Sequence, residues 1–426
     1  MDQRRTRRMR CVYCGKLGAI KYGKRKILSV SFSRRSVKEL QRYQCRACRR
    51  TFSRRREKRK RYTMGFKREV VRMHVEERMS YRVISKRVRE RYGKRVSPRQ
   101  LCRMVAEVAQ TSKSSVEVKL EYKPRWEGYL TVDDKNVRVK GKKYPSLVAV
   151  DRSGDPLHSE VFEQLNQENV DDFFCYLKDR LRYPFKGITT DLDPMLEKAI
   201  RGVISAAIPH QKCLWHAAEA VKETIGWLAT VRASKRLTKK VAELEESLDS
   251  RKQSLYNARK RLVQLQTELA EVTRAYEAKH KLLERFNPAF SGIWAKKRSR
   301  SEQLWKAFRR DYSSTYPAVV KFLATHWEGL LTHQRHPGVK TTNVMAENIN
   351  KQFQRRFKTI EAFQSVDSAF DYLNLYRNYL RFKLYTDCRG DRKHRNGRSP
   401  LQLCGATIPT TDWLANAIRS PSITNR

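Results

Sequence analysis

Apolar residues recur at helical spacing in the first quarter of the chain, and they predict three short helices in succession. The first helix covers residues 66–77. Ser80 caps the second helix and Gly93 ends it, whereas Ser97 and Pro98 begin the third. Three helices in this order, with a glycine-containing turn before the last, are typical of a helix-turn-helix DNA-binding unit. A trihelical core that does not bind DNA is the alternative interpretation.

The pattern then changes to short strand-like runs. The runs that begin at Tyr129, Leu147 and Leu157 are joined by tight connections and predict an antiparallel meander. A helix and a further strand follow, and this strand ends at Asp191. Three strands, a helix and a strand with a terminal Asp form the order of an RNase H-like α/β domain. In that fold the first and fourth strands lie side by side, so their terminal carboxylates can share metal ions.

Residues 237–276 carry an apolar stripe with alternating spacings of four and three, which predicts a coiled coil. Arg251 interrupts the stripe, and no Gly or Pro between residues 227 and 287 marks the tip of a hairpin. The partner of this helix is either another protomer or another helix of the same region. A helix packed on its own domain is the alternative to dimerisation.

The charge of the chain points to a polyanionic ligand. Lys and Arg number 93 against 44 Asp and Glu, and 23 of these basic residues lie in residues 1–60 with three acids. A positive field of this size attracts nucleic acid, so we expect double-stranded DNA as the partner. The expected DNA-contacting residues lie in a basic tract and on the third helix: Arg54, Arg55, Arg56, Arg99, Gln100 and Arg103.

Four of the nine cysteines have the spacing of a metal site. Cys11 and Cys14 form one CxxC pair, and Cys45 and Cys48 form a second pair 30 residues later. Each pair presents two thiolates to one tetrahedral Zn²⁺. The sequence therefore predicts a zinc ribbon with one structural Zn²⁺. The other five cysteines are scattered, which favours a reducing compartment over a disulfide framework.

Four segments carry a resemblance to a known family. Residues 132–141 resemble the first-Asp motif of bacterial and archaeal insertion-sequence transposases, and residues 189–191 resemble their second-Asp motif. Residues 341–350 resemble the helix that carries the final Glu, and residues 213–216 resemble the CxxH of the Mutator-like superfamily. On these motifs the chain, over residues 128–385, resembles DDE (RNase H-like) transposases.

The resemblance implies an activity and its cofactors. Asp133, Asp191 and Glu347 would bind two Mg²⁺ or Mn²⁺ ions, since hard oxygen ligands suit these cations. The implied enzyme binds transposon terminal repeats, cleaves at the ends to expose a 3′-OH, and joins it to target DNA. The residues expected to support this active site are Cys213, His216 and Asn343.

Neighbouring acids and other functions compete with this interpretation. Asp133 and Asp134 point to opposite faces of a strand, and either is a candidate metal ligand. Asp193 precedes Pro194 and is expected to cap a helix. A domesticated, catalytically inactive DNA-binding protein is the alternative function, although all three acids of the triad are present. Another RNase H-fold nuclease would not require the zinc ribbon, the helix-turn-helix and the CxxH together.

These predictions combine into a multidomain protein. An all-α insertion with a coiled coil interrupts its α/β RNase H-like catalytic domain. The expected divisions are a zinc ribbon with a basic arm, the all-α helix-turn-helix, the first part of the catalytic domain, the insertion, the final catalytic helices and a basic tail: 1–60, 61–115, 116–230, 231–338, 339–385 and 386–426. No run of ~20 apolar residues predicts a membrane span. We expect a homodimer that is cytoplasmic and nucleoid-associated in a prokaryote.

Overall fold

A computed structural model describes residues 9–30, 35–53, 62–249, 256–360 and 363–419. The strands are β1 (Ala19–Val30), β2 (Arg35–Cys45), β3 (Thr51–Ser53), β4 (Tyr129–Val139), β5 (Lys142–Asp151), β6 (Pro156–Val161), β7 (Gly187–Thr190) and β8 (His210–Lys212). The first seven helices are α1 (Met64–Val75), α2 (Tyr81–Tyr92), α3 (Pro98–Ala109), α4 (Ser115–Tyr122), α5 (Gln167–Cys175), α6 (Pro194–Ala199) and α7 (Leu214–Thr224). The remaining helices are α8 (Trp227–Asp249), α9 (Tyr256–Trp294), α10 (Arg298–Tyr312), α11 (Pro317–Leu330), α12 (Thr332–Arg335), α13 (Val344–Ile360), α14 (Val366–Phe382), α15 (Pro400–Leu403) and α16 (Trp413–Ala417). Among these described helices, none is long and apolar enough to cross a membrane.

The N-terminal residues form a small antiparallel sheet in the order β1-β2-β3. Ala19 is paired with Cys45, and Tyr43 is paired with Phe52. These residues and Cys11 make a small core of their own. A core with so few apolar side chains needs a further source of stability, such as a bound metal.

Helices α1, α2 and α3 form a trihelical unit with the caps that the sequence predicts. The Ser80 and Ser97 hydroxyls accept hydrogen bonds from the backbone N–H groups of Val83 and Gln100. Gly93 ends α2 in the left-handed conformation, with a φ of 62°. A residue without a Cβ adopts this conformation most readily, which explains why α2 stops there.

The trihelical unit shares its hydrophobic core with the C-terminal half of the chain. Phe66, Leu101 and Val105 belong to the same buried cluster as Tyr372 and Tyr376 of α14. The unit is therefore packed against the final helices, and this contact could not be predicted from the helical pattern.

The central sheet has five strands in the order β6-β5-β4-β7-β8. Strands β4, β5 and β6 form the predicted antiparallel meander, and β7 runs parallel to both β4 and β8. Strands β4 and β7, which are the first and fourth of these strands in chain order, thus lie side by side. Their ends are brought together although the chain passes through two further strands and a helix between them.

Helices cover both faces of this sheet. On one face, Leu130 packs in a cluster with Phe173 of α5. On the other face, Val148 packs against Ala346 of α13. The sheet is therefore the middle layer of three, and α13 lies directly on it.

The predicted apolar stripe is divided between α8 and α9, which run antiparallel. Leu237 of α8 and Leu265 of α9 are buried against each other's helix. Trp227, at the start of α8, lies 4.6 Å from Tyr276 near the end of α9, measured between ring centroids. Two helices of the same chain thus bury the stripe between them, which is the alternative in which the partner is another helix of the same region. Arg251 lies outside the described residues.

The residues after α14 fold back onto the trihelical unit. Arg72 donates to Asp412 at 2.6 Å, and Trp413 Nε1 donates to Glu76 at 3.0 Å. A 3₁₀ helix and two short α-helices occur in this segment. The predicted basic tail over residues 386–426 is therefore folded as far as it is described.

Candidate functional sites

The four CxxC cysteines come together beside the small N-terminal sheet. Their Sγ atoms all lie within 4.8 Å of one another, and the Cys11–Cys48 and Cys14–Cys45 sulfurs are each 3.6 Å apart. These separations fit a tetrahedral shell around one Zn²⁺, whose bonds to sulfur are about 2.3 Å long. The four cysteines could therefore bind a zinc ion, as their spacing predicts.

Backbone N–H groups of the two CxxC turns point to the sulfur atoms. The N–H of Cys48 lies 3.5 Å from Cys45 Sγ, and the N–H of Tyr13 lies 3.4 Å from Cys11 Sγ. The hydrogen bond from the Cys48 backbone lowers the pKa of the Cys45 thiol. Because the thiolate is the form that binds metal, these turns favour metal binding.

Two of the predicted carboxylates are carried by the neighbouring strands β4 and β7: Asp133 lies within β4, and Asp191 comes directly after β7. These strands are parallel, and Thr131 is paired with Thr189. Asp133 comes two positions after Thr131, and Asp191 comes two positions after Thr189, so strand alternation directs both side chains to the same face of the sheet. This is the face that α13 covers.

Asp133 is held by two asparagines, Asn343 directly before α13 and Asn350 within it. Asn343 Nδ2 donates to Oδ1 of Asp133 at 2.8 Å, and Asn350 Nδ2 donates to Oδ2 at 2.7 Å. Asn343 was predicted to support the site, whereas the role of Asn350 was not predicted. The spacing of four and three between Asn343, Glu347 and Asn350 is the signal that places all three on one helix face.

Glu347 lies in the first turn of α13 and is buried. Its Oε2 accepts a hydrogen bond from Lys351 Nζ at 2.8 Å. Its Oε1 is buried and has no hydrogen-bond partner among the described residues. A buried carboxylate oxygen without a partner is costly, so it marks a position that a cation or a donor from a ligand can occupy.

Burial and neighbouring acids raise the pKa of both strand aspartates. Burial raises the pKa of Asp133 to about 7, and the nearby carboxylates of Asp134, Glu347 and Asp191 act in the same direction. Burial also raises the pKa of Asp191 to about 6, with contributions from Asp134 and Asp193. A site that opposes the accumulation of negative charge favours a bound cation.

Asp134 is half-buried and lines the same cleft as Asp133. Burial raises its pKa, and Asp193 contributes to the shift. Asp193 itself caps α6 as predicted, by accepting a hydrogen bond from the Met195 N–H at 2.7 Å. Of the adjacent pair, Asp133 is the residue whose carboxylate both α13 asparagines contact.

Cys213 and His216 lie at the start of α7, directly after β8. Cys213 is fully buried, and its backbone N–H donates to the Thr190 carbonyl at 2.8 Å. His216 lines the cleft, and burial lowers its pKa, which favours the neutral imidazole. The cysteine thiol is therefore buried next to the backbone of Asn343, and the histidine forms part of the cleft wall.

These side chains border an open cleft with a volume of about 630 Å³. Asp133, Asp134, His216 and Glu347 line it, whereas Asp191 does not. The other lining residues on the β4–β5 hairpin, α7 and α13 are Lys135, Asn136, Arg138, Lys143, Trp215, Asn350, Lys351 and Gln354. The cleft thus combines acids, which attract cations, with basic groups, which attract phosphates.

The three predicted carboxylates share a face of the sheet without forming a closed ligand cluster. Among the described residues, the four cysteines are the single group of three or more candidate ligands gathered within metal-binding distance. Like charges repel, so three carboxylates approach closely only around a cation.

The predicted DNA-contacting residues of α3 lie at its surface. Arg99 and Arg103 are exposed and Gln100 is partly exposed, whereas Leu101 is fully buried. The remaining predicted contacts, in the tract 54–56, lie outside the described residues. Helix α3 therefore presents a basic face away from its core.

A family model described as "Transposase, Mutator family" matches residues 263–380, about a quarter of the chain. The matched span runs from α9 to α14 and contains Asn343, Glu347 and Asn350. A search of curated proteins found no match. Transposases in general bind, cleave and transfer DNA. Over this span the chain is similar to Mutator-family transposases, and this similarity supports the prediction of a Mutator-like transposase.

Proposed function

We propose that this chain is a DDE transposase with an RNase H-like catalytic domain. The observation that carries the proposal is the common position of Asp133, Asp191 and Glu347, beside the interface of the central sheet with α13. The adjacent, parallel strands β4 and β7 support the RNase H-like assignment. The family match supports the transposase assignment.

The proposed metal ligands are Asp133, Asp191 and Glu347, and the proposed cofactors are two Mg²⁺ or Mn²⁺ ions. Glu347 fits this role because its buried Oε1 lacks a partner among the described residues. Asp133 fits because a cation would offset the burial and the like charges that raise its pKa. Two such ions, when bound, activate an attacking oxygen and stabilise the leaving oxygen of a phosphodiester.

The chain's own side chains position the reacting groups. Asn343 and Asn350 orient the carboxylate of Asp133, which prepares the site before DNA binds. The exposed basic groups of Lys135 and Arg138 lie where they can hold phosphates next to the reacting one. His216 forms the opposite part of the wall in its neutral state.

The proposed reaction consists of two successive phosphoryl transfers in the same cleft. Water first attacks a phosphodiester at a transposon end. A P–O bond forms to the water oxygen, the bond to the 3′ oxygen breaks, and the products are a 5′-phosphate and a 3′-OH. This 3′-OH then attacks a phosphodiester of target DNA, so the transposon strand is joined and a target 3′-OH is released.

The N-terminal region is proposed to recognise the transposon ends. The proposed zinc ribbon with its basic arm covers residues 1–60, and the proposed helix-turn-helix covers residues 61–115. The exposed Arg99 and Arg103 of α3 support DNA contact by this unit. Two chains then hold two DNA ends as a homodimer.

The proposed catalytic domain comprises residues 116–230 and 339–385, with the helical residues 231–338 inserted between them. A domesticated protein that binds DNA without cutting it is not favoured. Binding alone does not require the two asparagines that hold Asp133 beside Glu347.

The proposal is tested by cleavage and strand transfer of DNA that carries the terminal repeats, with Mg²⁺ present. We expect Asp191→Ala and Glu347→Ala to reduce both reactions by about a thousandfold or more. Asp179→Ala, an exposed acid outside the cleft, is the matched control and should be fully active. Equal joining by the wild type and Asp191→Ala would overturn the carboxylate assignment. A wild type that binds the ends and never cleaves them would establish the binding-only alternative.

A further inference from the structure

Trp215 is an exposed aromatic side chain at the edge of the carboxylate cleft. It lies in the first turn of α7, and 45% of its surface is exposed. Its neighbours Leu214 and Ala217 are buried, so the helix turns Trp215 away from the core. The indole meets the His216 ring edge to face, with centroids 4.9 Å apart and an interplanar angle of 80°. The ring is thus supported from below by His216 while much of it remains open.

The exposure of Trp215 contrasts with that of most other tryptophans of the chain. Trp126, Trp305, Trp327 and Trp413 are all buried. An indole is the largest apolar side chain, and leaving it in water forgoes the stabilisation that burial provides. An exposed Trp in a cleft therefore points to a ligand that covers its ring.

The surroundings of Trp215 specify the chemistry of that ligand. The same cleft contains exposed basic residues, which attract a phosphate backbone: Lys135, Arg138, Lys143 and Lys351. It also contains Asp133 and Glu347, which belong to the proposed reaction site. A ligand that offers phosphates and a flat apolar face together is a nucleic acid strand with an accessible base.

Base pairing and stacking hide the faces of bases inside an intact duplex. An aromatic side chain can stack only on a base that is unpaired, at a frayed end or after extrusion from the helix. We propose that Trp215 stacks on an unpaired base of a strand-separated DNA end, next to the phosphodiester that reacts. This inference rests on the proposed function of the same cleft, and it makes the opened DNA end the preferred substrate.

Stacking would position the reacting strand in the cleft. The base stacks on the indole while the basic side chains of the cleft hold the phosphates on either side of that nucleotide. The reacting phosphodiester is thereby placed beside the carboxylates. Trp215 is therefore a positioning residue. Removing the ring should weaken binding of an opened end by about tenfold and leave binding of a closed duplex unchanged.

The test compares two DNA probes of equal length, one a blunt duplex and the other with a few unpaired nucleotides at one end. Affinities are measured by fluorescence anisotropy for the wild type, Trp215→Ala and Trp215→Phe. We expect the wild type to prefer the opened probe, Trp215→Ala to lose that preference, and Trp215→Phe to retain most of it. Trp294→Ala is the matched control, because Trp294 is 48% exposed at the end of α9 and does not line the cleft.

Equal preference for the opened probe in the wild type and Trp215→Ala would overturn the inference, as would an equal loss in Trp294→Ala. Thermal unfolding of Trp215→Ala shows whether the fold is retained. If the alanine variant unfolds, Trp215→Leu, which keeps an apolar side chain without an aromatic ring, should lose the preference in its place, and an unchanged preference in Trp215→Leu would overturn the inference. The binding assay does not depend on cleavage. A wild-type protein that prefers opened DNA through Trp215 but does not cleave it would therefore count against the proposed chemistry alone.

Discussion

Asn350 Nδ2 donates a hydrogen bond of 2.7 Å to Oδ2 of Asp133, and this bond joins residues that are 217 positions apart in the chain. Asn343 donates to the other oxygen of the same carboxylate at 2.8 Å. The start of helix α13 therefore carries Glu347 and also holds Asp133. Any shift of α13 on the sheet alters the orientation of the first carboxylate and the position of the second at once.

The first prediction concerns this bond. Asn350→Ala should lower the affinity for Mn²⁺ by about tenfold to a hundredfold, because a carboxylate that loses its orienting donor samples other rotamers. Isothermal titration calorimetry with Mn²⁺ measures the effect. Asn348→Ala, an exposed asparagine of the same helix, is the control. If both variants bind Mn²⁺ as tightly as the wild type, Asn350 has no part in orienting a metal ligand.

The second prediction concerns the cysteine cluster. Cys45→Ser should reduce the zinc content from about one ion per chain to none, since three thiolates make an incomplete tetrahedral site. Cys102→Ser, which replaces an exposed cysteine of α3, should leave the zinc content unchanged. Elemental analysis of the purified proteins gives both values. Retention of zinc by Cys45→Ser would place the ion elsewhere.

The N-terminal unit should lose its structure with the metal, while the rest of the chain remains folded. Its small cluster around Tyr43 and Phe52 contains no residue of the other cores. We expect chelation to expose residues 9–53 to proteolysis first. Simultaneous unfolding of the whole chain would contradict this independence.

The third prediction concerns the ion pair of Arg381 and Asp155. Both side chains are fully buried, and Arg381 donates through Nε and Nη2 to the two carboxylate oxygens at 2.8 and 2.9 Å. Arg381→Met should lower the free energy of unfolding by about 3–5 kcal/mol, because Asp155 remains as a buried charge without its cation. Urea denaturation measures the change. Arg298→Met breaks a more exposed pair with Glu328 and should cost about 1 kcal/mol or less.

The fourth prediction concerns His74 and pH. Its ring is stacked on Tyr81 with centroids 4.2 Å apart, and burial lowers its pKa from 6.5 to about 4. The unfolded chain therefore takes up the proton more readily than the folded protein does. The contribution to stability is complete above pH 6.5 and is lost as the pH falls toward 4, which amounts to about 3 kcal/mol.

His74→Asn should flatten this part of the stability curve, since Asn does not titrate and can still donate to the Met79 carbonyl that His74 Nδ1 contacts at 2.8 Å. The exposed residue His336 provides the control variant His336→Asn. Urea unfolding at several pH values between about 4 and 7 measures both slopes. A His74→Asn curve as steep as that of the wild type would assign the acid sensitivity to other groups.

Local features of the chain could be predicted because their physical causes are local. Ser80, Gly93 and Ser97 act on the adjacent backbone, so their caps follow from the residue types alone. The meander and the strand before Asp191 follow from short apolar runs and turns. The four cysteines needed only two CxxC turns to define a metal-binding pattern.

Contacts between distant segments depend on tertiary packing, which the spacing of apolar residues along the sequence does not reveal. The apolar stripe over residues 237–276 fits a partner helix from another protomer as well as one from the same chain. Only the tertiary structure shows that α8 and α9 bury it within one chain. The folding of the C-terminal segment onto α1 likewise depends on individual pairs such as Arg72 and Asp412. The sequence by itself determined that four cysteines could hold a zinc ion. The tertiary structure decided how Asp133 is oriented, because Asn350 reaches its carboxylate only when α13 is packed on the sheet.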